Sequence, residues 1–577
     1  MDTHASNIAH STPVTSTAEA YLHHLKRQGI EYLYLGSGTD TAPLVEAYAR
    51  QPESQLNFPQ PILATHENLA VGMAHGYYMV TRRPQAVMLH VSVGAANAVC
   101  AVMNAARAQV PMLFTAGRTP LFEKGRKGAR DSVIHWDQEM YDQGAMLREV
   151  VKWDYELRDG ANVSEVINRG LAIAMTEPRG PVYLTLPRET LAEAASATLN
   201  DPTPALPSAP HPDPHSVEAL AKALLNAELP IILCGATGVA QSTVNMLVEL
   251  SDRFGIGVAE PKARYMNFPS SHPLHMGFDA APVLKHSDAV LFLECDVPWI
   301  PEQISPLPDT FVAHAGCDPL FAQYPLRCFP SDLTITTTAE TLLPALIETL
   351  QKLGADQTRH ERAQRVETFA RERRELVQSR AQADTKRGGP ISKLFLSRCI
   401  SEVKPNNAIV VNEYSAVREQ MTFDEPGTFY LHPTSAGLGW GLPAALGAAQ
   451  AAPDRVVISV VGDGAYIFCN PAACHQAATM HKLPLLTIVF NNGGWDAVQR
   501  SALAMYPNDH AAQFKQDHHM APLSSLDPTP DFERYVEASG GYGERVTERD
   551  ALIPALQRAL NVVQNEKRQA LLHVIGA

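Results

Sequence analysis

Two short polar clusters interrupt apolar runs in the last third of this sequence. VVISVV (456–461) leads into Gly462-Asp463-Gly464, and LLTIVF (485–490) leads into Asn491-Asn492-Gly493-Gly494. A carboxylate and a carboxamide both offer hard oxygens. Magnesium takes such oxygens in an octahedron and commonly shares them with phosphates. Asp463 would supply a charged oxygen and Asn492 an amide oxygen. The flanking glycines let the backbone approach a diphosphate and present its own N–H and C=O groups. Gly-Asp-Gly alone is also an ordinary turn. The information lies in its pairing with Asn491-Asn492, which begins 28 residues after Asp463 at a second strand end.

For these groups to meet, two neighbouring parallel strands must end at one sheet edge, where ligands of open α/β sheets bind. The surrounding pattern supplies such strands: 408–413, 456–463 and 485–492, with an Ala-rich helix at 442–452. The same alternation of strand and helix occurs twice more. Residues 31–35, 86–93, 110–116 and 181–186 read as strands around a small-residue helix at 95–108. Residues 230–238, 287–295 and 310–318 read as strands of a middle block. Strand–helix alternation implies parallel sheets. The expected fold is therefore three consecutive α/β domains, at 1–195, 212–355 and 388–577. The Pro-, Ala- and Ser-rich stretch 195–215 is read as a linker. The charged stretch 357–387 is read as a solvated helix and connector.

The chain of 577 residues has room for about three domains. Hydrophobic residues make up 45% and charged residues 19%, as in a globular protein. A net charge of −14 argues against a nucleic-acid or anionic-membrane surface. The eight cysteines form no C-x-x-C pair, so neither a zinc site nor a disulfide framework is expected. No signal peptide or apolar membrane span stands out, which gives a cytoplasmic protein as the default.

The GDG–NN pairing resembles the cofactor signature of thiamine-diphosphate-dependent decarboxylases and carboligases, the family of acetolactate synthases and benzoylformate decarboxylases. The resemblance covers essentially the whole chain, in the order pyrimidine-binding, middle and diphosphate-binding domain. It implies that Asp463, Asn492 and the backbone oxygen of Gly494 hold magnesium. It also implies that Glu67, in ATHENLAVGMAHGYYMV (64–80), activates the cofactor's aminopyrimidine. A glutamate in a first helical turn could equally serve the helix dipole. The segment SAGLGWGLPAALGA (435–448) is similar to the one that bends the cofactor, with Leu438 as the apolar wedge and backbone near Ala436 and Gly437 facing the amine. Ser415, Gly462, Gly464, Ala465 and Trp495 complete the implied cofactor set. LHVSVGAANAV (89–99) resembles the histidine-containing loop of benzoylformate decarboxylases, which places His90 as the proton-transfer residue. Thr39 stands where that group has an active-site serine.

The sequence departs from the family in places. The stretch 294–305 has no histidine where benzoylformate decarboxylases carry their second one. Pyruvate decarboxylases carry paired histidines after a first-domain strand; here His135-Trp136-Asp137-Gln138-Glu139 stands instead, and its Gln138-Glu139 resembles acetolactate synthases. Thr39, His90, His135 and Gln138 are the candidate substrate pocket. The middle segment CGATGVAQS has a nucleotide-fold look without a flavin-binding set, so FAD is not expected. His66, His75, His432 and His475 are read as structural or rim residues, and 499–527 as an irregular lid.

The resemblance implies addition to a 2-oxo acid, loss of carbon dioxide, and protonation or carboligation of the resulting enamine. Alternatives are an acetolactate synthase-type transferase and a non-decarboxylating 2-hydroxy ketone lyase. A non-catalytic relic is the weakest reading, since Glu67, Asp463 and Asn492 are all intact. The expected partners are a small 2-oxo acid or 2-hydroxy ketone and further copies of the chain. A homodimer or homotetramer with active sites between subunits is implied.

Overall fold

Strands buried on both faces must be apolar on both faces, which is why they read as unbroken hydrophobic runs. The computed structural model describes residues 14–51, 57–195, 205–354 and 359–577. Part of the linker reading, 196–204, and the start of the charged stretch, 357–358, lie outside the described residues. The chain divides into two compact units. One comprises Met1–Val71, Arg83–Met175 and Arg179–Leu206, the other Gly72–Arg82, Thr176–Pro178 and Pro207–Ala577.

The first unit holds a sheet of β1 (Tyr32–Leu35), β2 (Gln60–Leu63), β3 (Ala86–Leu89), β4 (Leu113–Arg118), β5 (Asp154–Glu156) and β6 (Val182–Pro187), in the order β2-β1-β3-β4-β6-β5. The second unit holds two sheets. One is built from β7 (Pro230–Cys234), β8 (Gly257–Ala259), β9 (Ala289–Leu293), β10 (Phe311–Gly316) and β11 (Leu333–Thr336), ordered β11-β10-β9-β7-β8. The other is built from β12 (Ile409–Glu413), β13 (Phe429–Leu431), β14 (Val457–Gly462), β15 (Leu486–Asn491), β16 (Tyr542–Val546) and β17 (Ala570–Ile575), ordered β13-β12-β14-β15-β17-β16. Every strand pairing within them is parallel. The three expected α/β domains are thus present as three parallel sheets, and the first and last sheets share one strand order.

In the last sheet, Ile458, Val460, Leu486, Ile488, Leu572 and Val574 pack with Leu552 and Leu556 of the helix Arg549–Asn565. Each such fully buried side chain contributes roughly 1.5–3 kcal/mol. The frame beneath the last sheet's C-terminal edge is therefore rigid. Beyond β13, Met266 N–H donates to Phe429 O at 3.2 Å and Leu431 N–H to Arg264 O at 2.9 Å, which covers that sheet edge.

Two expectations need correction. The strand read over 86–93 stops at Leu89, and a helix, Val91–Arg107, begins immediately after His90. VSV looks like strand, but the Val91 amide donates to the buried Asp40 carboxylate at 3.3 Å, which sets the helix start. The stretch 499–527 is not irregular throughout. It lies across two helices, Asp496–Met505 and His510–His518, neither of which buries a residue. DAVQRSALAM is rich in helix formers, and Pro507 breaks the run. The charged stretch forms the helix Arg359–Arg387 as expected. Cys234, Cys295, Cys399, Cys469 and Cys474 are buried as free thiols.

Candidate active site

In a sheet ordered β13-β12-β14-β15, the connections leave in opposite directions on either side of the β12–β14 pair. This is a topological switch point, where a crevice opens at the strand ends. A cavity of about 300 Å³ lies there. Its lining includes Ser415 beyond β12, Gly462, Asp463, Gly464 and Ala465 at the end of β14, and Asn492, Gly494 and Trp495 beyond β15. Ala436 and Leu438 line it from the loop before the helix Gly441–Ala451. Of the cofactor residues expected in this unit, only Gly437 is not part of the lining. Lys393, Tyr414 and Phe490 line it as well. Lys393 lies far from both motifs in sequence, and no spacing rule points to it.

Asp463 is buried, and its two oxygens accept from Gly464 N–H at 2.8 Å and Gly494 N–H at 3.1 Å. Burial pushes its carboxyl up, against the pull of the Gly464, Gly494 and Gly493 amides and of Lys393. Strand alternation separates the two asparagines. The Asn491 amide turns inward to Thr529 and His573, at 2.8 and 2.9 Å, and only Asn492 reaches the cavity. A Cβ on Gly464 would stand 2.2 Å from the Trp495 ring, so any larger residue would have to displace that ring.

The donor set fits a magnesium diphosphate. It has one carboxylate, one amide oxygen and one backbone carbonyl, and phosphate oxygens would complete an octahedron. The Ser415 hydroxyl is buried and without a hydrogen-bond partner among the described residues, yet it lines this polar crevice. A buried hydroxyl is normally paired, and a phosphate oxygen would pair it.

The first unit has its own switch point, between β1 and β3. Asp40 follows β1 and His90 follows β3. His90 Nδ1 lies 2.6 Å from Asp40 Oδ1, so the ring N–H donates to the carboxylate. That hydrogen bond holds the His90 imidazole above its ordinary value against burial, and the charges of Asp40 and Glu67 add to it. A Cβ on Gly117 would overlap the Asp40 carboxylate, so the buried acid depends on that glycine. Gln138 Nε2 stands 3.4 Å from His90 Nε2. Glu67 opens the helix Glu67–Thr81 and accepts from Asn97 Nδ2 at 2.7 Å. Thr39 is exposed in the turn before Asp40. His135 is buried and takes a local contact instead: its Nδ1 accepts from the Asp131 amide at 3.2 Å, and burial lowers its basicity. Glu139 is paired with Arg118 at 2.9 Å and also with Arg130. His475 is a core residue bonded to Tyr466 and Gln569, each at 2.7 Å, and burial pushes it down to about 4. The sequence reading missed Asp40, although it adjoins Thr39; its partner stands fifty residues away and no local pattern joins them.

A parallel sheet with hard oxygen donors and an unpartnered hydroxyl at its switch point suits an enzyme that binds a diphosphate cofactor through a metal. Family models bear out the cofactor. Residues 413–574 match the thiamine pyrophosphate enzyme C-terminal TPP binding domain, 15–146 the N-terminal TPP binding domain, and 217–324 the central domain. The chain belongs to the family of thiamine-diphosphate-dependent enzymes built from these three domains. It is 26% identical to a benzoylformate decarboxylase of Pseudomonas aeruginosa, over 82% of this chain and 85% of the relative. It is 25% identical to a sulfoacetaldehyde acetyltransferase of Rhodobacter capsulatus, over 94% and 92%. In fold it matches the thiamine diphosphate-dependent 4-hydroxybenzoylformate decarboxylase of Rhodococcus jostii RHA1, with a TM-score of 0.77 at 22% identity, over 97% of this chain and 99% of that one.

Proposed function

We propose that this chain is a thiamine-diphosphate- and magnesium-dependent enzyme that decarboxylates a 2-oxo acid and releases or ligates the carbonyl product. The observation that carries this reading is the convergence of Asp463, Asn492, Gly494 and the unpartnered Ser415 hydroxyl on one cavity. Bound there, the cofactor would supply a nucleophilic carbon and an electron sink for bonds next to a carbonyl. Asp463, Asn492 and the Gly494 carbonyl would hold magnesium, and Ser415 the diphosphate. Leu438 would press on the cofactor from the apolar side and fix its bend.

Glu67 would hydrogen-bond the pyrimidine ring nitrogen. Asn97 occupies its Oε2, which leaves Oε1 for that task. The His90 ring is held through Nδ1 by Asp40, and its Nε2, which meets the Gln138 side chain only at 3.4 Å, would turn to the substrate in exchange for that long contact. The Asp40 hydrogen bond raises its basicity, and in its protonated form the ring would attract a 2-oxo acid carboxylate and donate a proton at Nε2. In the family pattern Glu67 of one copy serves the cofactor held by another, which implies a homodimer or homotetramer.

A second reading, transfer of an acyl unit to an acceptor as in acetolactate synthases, is favoured by the similarity to an acetyltransferase across 94% of the chain. A panel of 2-oxo acids with thiamine diphosphate and Mg²⁺, followed for carbon dioxide and carbonyl products, separates the two. Aldehyde with carbon dioxide supports the first reading. A 2-hydroxy ketone built on an aldehyde acceptor is the ligating branch of the first reading, and a 2-hydroxy acid, formed on a second 2-oxo acid, supports the second. No carbon dioxide from any 2-oxo acid refutes both. Glu67→Gln should keep cofactor binding and nearly abolish turnover.

A further inference from the structure

Glu413 ends β12 but does not face the cavity. It is a fully buried acid held only by backbone amides. Its Oε1 accepts from Gly439 N–H at 2.9 Å and its Oε2 from Gly441 N–H at 2.7 Å. Burial pushes the carboxyl up to about 7, opposed by the amides of Gly441, Gly439 and Trp440. Among the described residues no cation pairs with it. Isolated acids of this kind are costly to bury. The amides it grips follow Leu438 directly, and Leu438 and Ala436 line the cavity. Ala436 is held at φ +56°, a conformation that a non-glycine residue rarely adopts unaided. Close approach is built in: a Cβ on Gly441 would stand 3.0 Å from the Glu413 side chain and 2.9 Å from Val461. Glu413 pairs across the sheet with Val461, two residues before Asp463, and Ser415 follows two residues after it. One carboxylate thus ties the 436–441 loop to both strand ends that carry the diphosphate and metal candidates.

We infer that Glu413 is a positioning residue that fixes Leu438 and the backbone at Ala436 relative to Asp463 and Ser415, and so sets the geometry of the bound cofactor. The inference rests on the reading above that 436–438 faces the cofactor. Glutamine at 413 retains one acceptor oxygen and turns an amide donor toward the other N–H, so the loop must shift. Displacements of about 1 Å near reacting atoms cost roughly 10²-fold in rate.

The test uses the full chain reconstituted with thiamine diphosphate and Mg²⁺. The readout is the rate at which the bound cofactor's acidic ring proton exchanges for deuterium, measured by NMR after acid quench; it needs no substrate. Glu413→Gln should slow exchange about 10²-fold while cofactor affinity changes only a few-fold. Glu413→Asp, which keeps the charge but retracts it by one methylene, should also slow exchange. Exchange at the wild-type rate in either folded variant, whatever its melting temperature, overturns the inference. So does failure of both to fold, which would make Glu413 a determinant of folding alone. Glu67→Gln is the control: unaltered exchange there sinks the cofactor-activation reading, whereas slow exchange there with normal exchange in Glu413→Gln sinks only this inference.

Discussion

Truncating Leu438 to alanine separates a wedge from a core residue. The side chain is only partly buried and one side of it faces the cavity. Fully buried Leu→Ala changes cost about 2–5 kcal/mol through lost transfer energy plus the cavity left behind. In the apoprotein, Leu438 already borders open space, so the change should cost only about 1 kcal/mol, below that range. Leu446, fully buried in the helix that follows, is the internal comparison and should show the full penalty. With cofactor bound the order should reverse. A slackened bend of about 1 Å at the reacting atoms costs roughly 10²-fold, which is about 2.7 kcal/mol at 1.36 kcal/mol per decade. Two measurements on each variant suffice: thermal melting of the apoprotein, and proton–deuterium exchange of the bound cofactor at saturation. The expected pattern is a small melting shift with slow exchange for Leu438→Ala. If Leu438→Ala melts as low as Leu446→Ala, or exchanges at the wild-type rate when saturated, the wedge reasoning is wrong.

Asp463→Ala should weaken magnesium-dependent cofactor binding by at least about 10²-fold, since it removes a direct ligand where supporting residues alone are worth 10–100-fold; a variant that binds the cofactor in Mg²⁺ as tightly as the wild type does, by calorimetry, would remove the metal assignment. For Asp40→Asn the sign follows from His90. Its folded-state basicity is raised by the Asp40 hydrogen bond, so that pair adds stability below the unfolded value of about 6.5 and loses it as pH rises through the raised folded value. The variant should therefore be destabilised by about 1.5–3 kcal/mol, the worth of a hydrogen bond to a charged group, where His90 is protonated, and by less as pH rises through its raised folded value. A melting difference independent of pH would show that His90 is not charged by Asp40.

What the chain disclosed in advance follows physical lines. The ends of β14 and β15 were legible because buried parallel strands are continuous apolar runs, and Asp463 and Asn492 follow them at once. The inward turn of Asn491 agrees with the alternation of strand side chains. Short edge strands such as β5 and β8 were not legible, since three residues carry no periodicity. The start of the helix Val91–Arg107 was hidden because its β-branched first residues favour strand, and a tertiary contact with Asp40 overrides them. Asp40, Lys393 and Glu413 were missed for one reason: each meets groups distant in sequence. The helices at Asp496–Met505 and His510–His518 were read as irregular because neither carries a buried face, the usual signal of a helix.

The equal strand order of the first and last sheets bears on how such a chain could arise and change. A crevice at the switch point is inherited with the strand order, whatever side chains fill it. Doubling one ancestral segment would therefore yield two crevices at once. Substitutions at a few strand ends would then make one a proton-handling pair, Asp40 and His90, and the other an oxygen cage, Asp463 and Asn492. With Glu67 kept for the cofactor, substitutions at the other strand ends of the first sheet would be free to retune substrate preference while Asp463 and Asn492 stay unchanged. Relatives with different substrates and a common cofactor are what such a division of labour would produce.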